Sequence, residues 1–176
     1  MAATIAWCTP LDKLKIREIT LFAVLGALTF AAKYVMAMLP NIEPVSLCVM
    51  LFAVTFGKKS VYPICLYILL EFLFFGIGIW NIMYLYIWWI LALAAYVCRG
   101  MESPLGWALL SGGFGLLFGA FCAPVDVVIG GLGYAVTKWA SGIPFDLAHC
   151  AGNFALALVL YKPLTGGLKK LTARFM

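Results

Sequence analysis

"GALTFAAKYVMAMLPNIEPVSL", Gly26–Leu47, places one ammonium, Lys33, inside a run that is otherwise apolar up to Pro40. Two polar groups, Asn41 and Glu43, follow before apolar sequence resumes at Val45. Traced back to Ile19, the run reaches the ~20 residues that a helix needs to cross the hydrocarbon core of a bilayer. The stretch reads as a membrane span, a short polar rim and a re-entry. At 1.5 Å rise per residue, Lys33 lies about 20 Å above Ile19, in the far half of the bilayer. Two readings stand for it: snorkelling to the headgroups, or facing inward to meet a carboxylate or a ligand.

The rest of the chain agrees with a lipid solvent. Of 176 residues, 65% are hydrophobic and 11% charged, with a mean hydropathy of +1.07. A soluble domain carries about 45–50% apolar and about 25% charged residues. The expected fold is an all-α integral membrane protein, a single domain over 1–176 containing a compact bundle of six transmembrane helices. The predicted spans are Ile19–Leu39, Val45–Phe56, Ser60–Ile79, Trp80–Cys98, Leu105–Ala123 and Pro144–Tyr161. Span two is short, so it must be irregular, tilted or buried against its neighbours. Pro40, Pro44, Pro104, Pro124 and Pro144 fall near proposed ends, where a missing N–H costs least. "GIGIWN" (76–81) predicts a tight turn.

Cations orient the bundle. With both termini in the cytoplasm, ten of the twelve Lys and Arg residues fall on the inner side, leaving Lys138 outside and Lys33 within. That asymmetry follows the positive-inside rule, and predicts a multi-pass plasma-membrane protein. Residues 1–18 read as a cytoplasmic, interfacial lead-in, because the short apolar start precedes Lys13, Lys15 and Arg17, the reverse of a signal peptide's order. Residues 162–176 form a basic cytoplasmic tail. The outward connection 124–143 is too apolar for a solvated loop and reads as an interfacial helix or lid, with Gly130, Gly131 and Gly133 as bends.

Polar residues gather at the outward end. Glu71 lies too deep to snorkel and must be protonated or paired, with Lys33 the candidate at matching depth. Asp146, His149 and Asn153, at i, i+3 and i+7, share one helical face; a polar stripe there should line a cavity. Trp80, Tyr84 and Trp88 recur every fourth residue, with Asn81 beside them. Trp80 fits an interfacial belt, and Trp88 a core or cavity wall. A few polar groups among aromatic walls is the usual make-up of a small-molecule site. His149 is the sole histidine, and the six cysteines are scattered singly, so hydrogen bonding is preferred over a metal site.

Small residues recur at every fourth position in span one (Ala23, Ala27, Ala31) and span five (Ser111, Gly115, Gly119, Ala123). Such stripes let backbones approach closely. In span five internal packing is the simpler reading; in span one a smooth docking surface is the alternative. No phosphate-loop, zinc-protease or nucleophile-elbow motif occurs, so no enzyme is expected. No inverted repeat supports an ordinary secondary transporter, although a stand-alone carrier with Glu71 or His149 as proton relay stays open.

The alanine stripe, "LPNIEPVSL" (39–47), the "FGKK" inner loop (56–59) and "GIPFDLAHCAGNFALALVLYKPL" (142–164) together resemble the substrate-binding S component of energy-coupling factor transporters. The resemblance implies prokaryotic vitamin uptake and no cofactor in this chain. It implies a transmembrane coupling protein and two ATPase subunits as partners, with ATP and Mg acting there. Ala23, Ala27 and Ala31 take the family's docking role. An outward ligand site would involve Trp80, Asn81, Tyr84, Trp88, Asp146, His149 and Asn153, with Lys33, Asn41 and Glu43 at its rim. The chain looks most similar to cobalamin-type components; folate, pantothenate, pyridoxine or a queuosine precursor remain alternatives.

Overall fold

The structure, a computed structural model, describes residues 14–38 and 42–175. All regular structure among them is helical: α1 (Ile16–Met36), α2 (Val45–Phe56), a 3₁₀ turn (Gly57–Ser60), α3 (Val61–Phe75), α4 (Ile79–Val97), α5 (Pro104–Leu116) and α6 (Phe118–Phe175). Four helical stretches are long and apolar enough to cross a membrane: Ile16–Met36, Val45–Phe75, Ile79–Val97 and Pro104–Phe175. Their outward faces carry exposed Leu28, Val35, Leu73, Phe74, Leu85 and Leu109, a surface that only lipid or a partner solvates well.

Two of the four stretches reverse direction internally, each at a glycine with positive φ. Gly57 (φ 56°) ends α2. Phe22 packs against Phe56 before that turn and Tyr62 after it, at centroid distances of 5.1 and 5.6 Å. At the other end of α1, Lys33 reaches both Glu43, just before α2, and Glu71, near the end of α3. Thus α2 runs back along α1, and α3 returns beside it. Gly131 (φ 79°) folds α6 on itself. Asp126 meets Lys138 and Gly119 meets Asp146 across the fold, so the arms 118–130 and 132–175 are antiparallel. An L side chain is strained at either φ.

The 124–143 segment, expected as an interfacial helix or a lid, is helical and carries the turn of a hairpin, with Gly130 and Gly133 staying helical. Pro124 and Pro144 lie inside helices, contrary to the sequence expectation. A proline removes one rung of the backbone ladder, and the inter-arm contacts Asp126–Lys138 and Gly119–Asp146 each lie two residues from one of these prolines. Pro44 and Pro104 do sit at helix starts, and at α5 the Ser103 hydroxyl accepts the Gly106 N–H at 3.2 Å. The second arm of α6 spans about 65 Å at 1.5 Å per residue, against ~30 Å of hydrocarbon core. The predicted sixth span is only its middle, and the tail 162–175 continues as helix. Within the proposed lead-in, Ile16–Glu18 already belong to α1, and residues 1–13 lie outside the described residues.

Short α2 is the centre of the bundle. Nine of its twelve residues are buried, and it packs on both α4 and α6. The span-five stripe packs internally: a Cβ on Gly115 would stand 2.8 Å from the His149 carbonyl carbon. Trp107 stacks on Tyr161 at 4.4 Å and donates its N–H to the Met101 carbonyl at 2.8 Å. The end opposite the hairpin is basic. There Lys59 pairs with Glu18 at 2.5 Å, and Arg99, Lys162 and Lys169 line a cleft.

Candidate functional site

At the hairpin end, a cavity of about 420 Å³ opens between the two arms of α6 and the start of α4. Its aromatic walls are Trp80, Phe118, Trp139 and Phe145; its polar groups are Asp126, Lys138, Asp146 and His149. Local chain geometry places each of them. The helix breaks at Leu117, so Phe118 starts a new helix whose first amides lack an intrahelical acceptor. Gly119 donates one such N–H to both carboxylate oxygens of Asp146, at 3.1 and 3.3 Å. A carboxylate at a helix N-terminus also meets the positive end of the helix dipole. Glycine allows this close approach, since a Cβ would stand 2.5 Å from Asp146 Oδ2 and 2.9 Å from Trp139 Cδ1 and force one of them to shift.

One turn below Asp146, the His149 ring stands edge-on to Phe118 at 4.9 Å. His149 is buried, and its Nε2 has no hydrogen-bond partner among the described residues. Across the cavity, Lys138 Nζ pairs with Asp126 at 2.5 Å and lies 5.4 Å from the Trp80 ring centroid. The arrangement offers an incoming molecule flat aromatic faces, a carboxylate, an ion pair and one imidazole nitrogen. These are recognition groups for a polar, ring-containing compound.

A second polar cluster sits nearby and is distinct from the cavity. Lys33 Nζ donates to Glu71 Oε2 at 2.7 Å and to the Tyr84 hydroxyl at 3.1 Å, and stands 3.9 Å from Glu43 Oε2. It also lies over the Tyr84 ring at 4.7 Å. The inward reading of Lys33 is the one adopted. Burial pushes the Glu43 carboxyl above its ordinary pKa; the Lys33 ammonium opposes that push and the Glu71 charge adds to it. An aromatic partition links cluster and cavity: Tyr84 to Trp88 at 5.3 Å, Trp88 to Phe118 at 6.1 Å, Phe118 to His149 at 4.9 Å.

Comparison with known protein families, curated proteins and solved structures finds no match to this chain.

Of the residues expected at the site, Trp80, Asp146 and His149 line the cavity. Lys33, Glu43 and Tyr84 form the separate cluster, and Trp88 is fully buried in the partition. Asn153 does not line the cavity: its amide donates to Ser46 Oγ at 3.0 Å and the Ser111 carbonyl at 3.3 Å, tying α6 to α2 and α5. Asn81 is buried in the first turn of α4, and Asn41 lies outside the described residues. Sequence reading missed Asp126, Lys138, Gly119 and Trp139. A signal existed for two of them, since a hairpin apex at Gly131 brings positions 126 and 138 face to face. Ala23, Ala27 and Ala31 are all exposed on α1.

Proposed function

We propose that this chain is the substrate-binding S component of an energy-coupling factor transporter, crossing the membrane six times with both termini in the cytoplasm. Its hairpin cavity captures a vitamin from outside. A coupling protein then docks on the ridge of Ala23, Ala27 and Ala31, and two partner ATPases drive uptake. The observation that carries the reading is the cavity itself. Aromatic walls and convergent polar groups lie at the end opposite ten of the twelve Lys and Arg residues, which the positive-inside rule assigns to the cytoplasm.

The cavity volume of about 420 Å³ falls within the ~300–1,000 Å³ of small-molecule sites. It suits a single ring system with polar substituents. A corrinoid, the ligand suggested by resemblance, is larger than this cavity. Folate, pantothenate, pyridoxine and a queuosine precursor are the other candidates.

The test is mass spectrometry of whatever small molecule copurifies with the detergent-extracted protein, followed by reconstitution. The reading expects this chain alone to bind that molecule, and uptake to require the coupling complex and ATP. Uptake by the chain alone under a pH gradient makes it a secondary carrier instead.

A further inference from the structure

Three ionisable side chains from three parts of the fold converge beneath the rim: Lys33 of α1, Glu43 of the segment before α2, and Glu71 of α3. The other titratable groups facing them are Tyr67 of α3, Tyr84 of α4 and, beside Tyr67, Cys48 of α2. These three are neutral, so the cluster sets two carboxylates against one ammonium. The site is largely closed to solvent, with side-chain exposures of 18% for Lys33, 17% for Glu43 and 3% for Glu71.

An unbalanced charge in such surroundings is heavily penalised. Lys33 does not share itself evenly: it holds Glu71 at 2.7 Å and leaves Glu43 at 3.9 Å, beyond hydrogen-bond reach. Glu71 Oε1 and the Tyr67 hydroxyl are both buried without a hydrogen-bond partner among the described residues. The geometry thus marks Glu71 as the partner of the ammonium and Glu43 as the surplus acid.

We propose that this cluster is a proton-binding site, with Glu43 held as a neutral carboxylic acid at neutral pH while Glu71 carries the charge that Lys33 balances. The proton brings the cluster to zero net charge. Glu43, the more exposed of the two acids and the one outside a helix, is the point of exchange with solvent. When the proton leaves, Glu43 competes with Glu71 for the one ammonium. None of this depends on a vitamin occupying the hairpin cavity.

Infrared spectroscopy of the detergent-purified full chain tests the site directly. A protonated-carboxyl carbonyl band that shifts in D₂O is expected at neutral pH and is lost in Glu43→Gln. The same band is lost in Glu71→Gln, because Lys33 then passes to Glu43 and ionises it. Lys33→Met adds a second such band, since neither acid retains a counter-charge. Absence of any Glu43-dependent band at neutral pH overturns the proposal. So does its survival in Glu71→Gln, and so does its removal by sodium chloride at constant ionic strength, which assigns the site to a metal cation. If Lys33→Met fails to fold, the two near-isosteric Gln variants decide alone.

Discussion

Gly119 and Asp146 lock the two arms of the α6 hairpin together, the amide of one facing both carboxylate oxygens of the other at 3.1 and 3.3 Å. The bond serves two ends at once: it satisfies a helix start left open by the break at Leu117, and it fixes a carboxylate in the cavity wall. Asp146→Ala leaves that N–H without its acceptor, a loss of about 1–3 kcal/mol. Gly119→Ala drives a methyl into the carboxylate, and overpacking of this kind costs about 1–3 kcal/mol. Both variants are expected to melt earlier in detergent than wild type. A Gly119→Ala protein as stable as wild type contradicts the close approach.

The Asp126–Lys138 pair clamps the hairpin nearer its apex. Asp126 is almost fully buried while Lys138 retains 30% side-chain exposure. Removing one partner therefore costs less than the ~3–5 kcal/mol of a fully buried pair, and most when Lys138 is the one removed. Lys138→Met should lower the melting temperature and weaken ligand retention. The exchanged pair, Asp126→Lys with Lys138→Asp, should recover most of both. Recovery separates an electrostatic clamp from a direct ligand contact, because a ligand reading the lysine would not accept the exchange.

Glu43 gives the bundle a pH dependence of predictable sign. Burial raises its carboxyl in the folded state, so the folded protein holds this proton more tightly than the unfolded chain. Stability must then fall as pH rises from the ordinary carboxylate value toward the raised one, and level off above it. Melting curves across that range should show a component with this slope in wild type and lack it in Glu43→Gln. An unchanged slope removes Glu43 as its source.

Helical architecture was legible because lipid imposes simple demands: every pass must be apolar and must satisfy its own backbone. The Lys33–Glu71 pair was legible for the same reason, since Glu71 has too short a stem to reach water and needed a cation at its depth. The hairpin was not. "VDVVIGGLGYAVTKWASG" has three glycines near its middle, and sequence alone does not reveal that Gly131 alone among them leaves the helical region. Pro124 and Pro144 added a false boundary, because packing between the arms outweighs one missing hydrogen bond at each. Asn153 misled through its spacing: it shares a face with Asp146 and His149, yet Ser46 and Ser111 intercept its amide.

That interception yields its own prediction. Asn153 ties three helices at a fully buried point, so Asn153→Ala leaves the Ser111 carbonyl and the Ser46 hydroxyl without this donor. A loss of about 1–3 kcal/mol is expected, with ligand affinity unchanged once the fold is intact. A double-mutant cycle with Ser46→Ala should return a coupling of about 0.5–3 kcal/mol, as for side chains in direct contact. A ligand-binding role would instead appear as lost affinity in a protein of normal melting temperature.

The proposed docking role of the α1 ridge predicts that binding and coupling can be separated. Ala23, Ala27 and Ala31 are exposed at intervals of one helical turn and face away from both the cavity and the Lys33 cluster, whose α1 contacts come from Lys33. Ala27 is exposed on α1, so Ala27→Trp should fold and bind its ligand with wild-type affinity. Close helix approach depends on small residues, and an indole at the middle of the ridge holds an approaching helix several ångströms off. Ligand-binding assays on the variant alone should match wild type, while copurification with the coupling complex and ATP-driven uptake in proteoliposomes should both be lost. Intact uptake by Ala27→Trp removes the ridge as the docking surface and leaves the hairpin cavity's role to be judged separately.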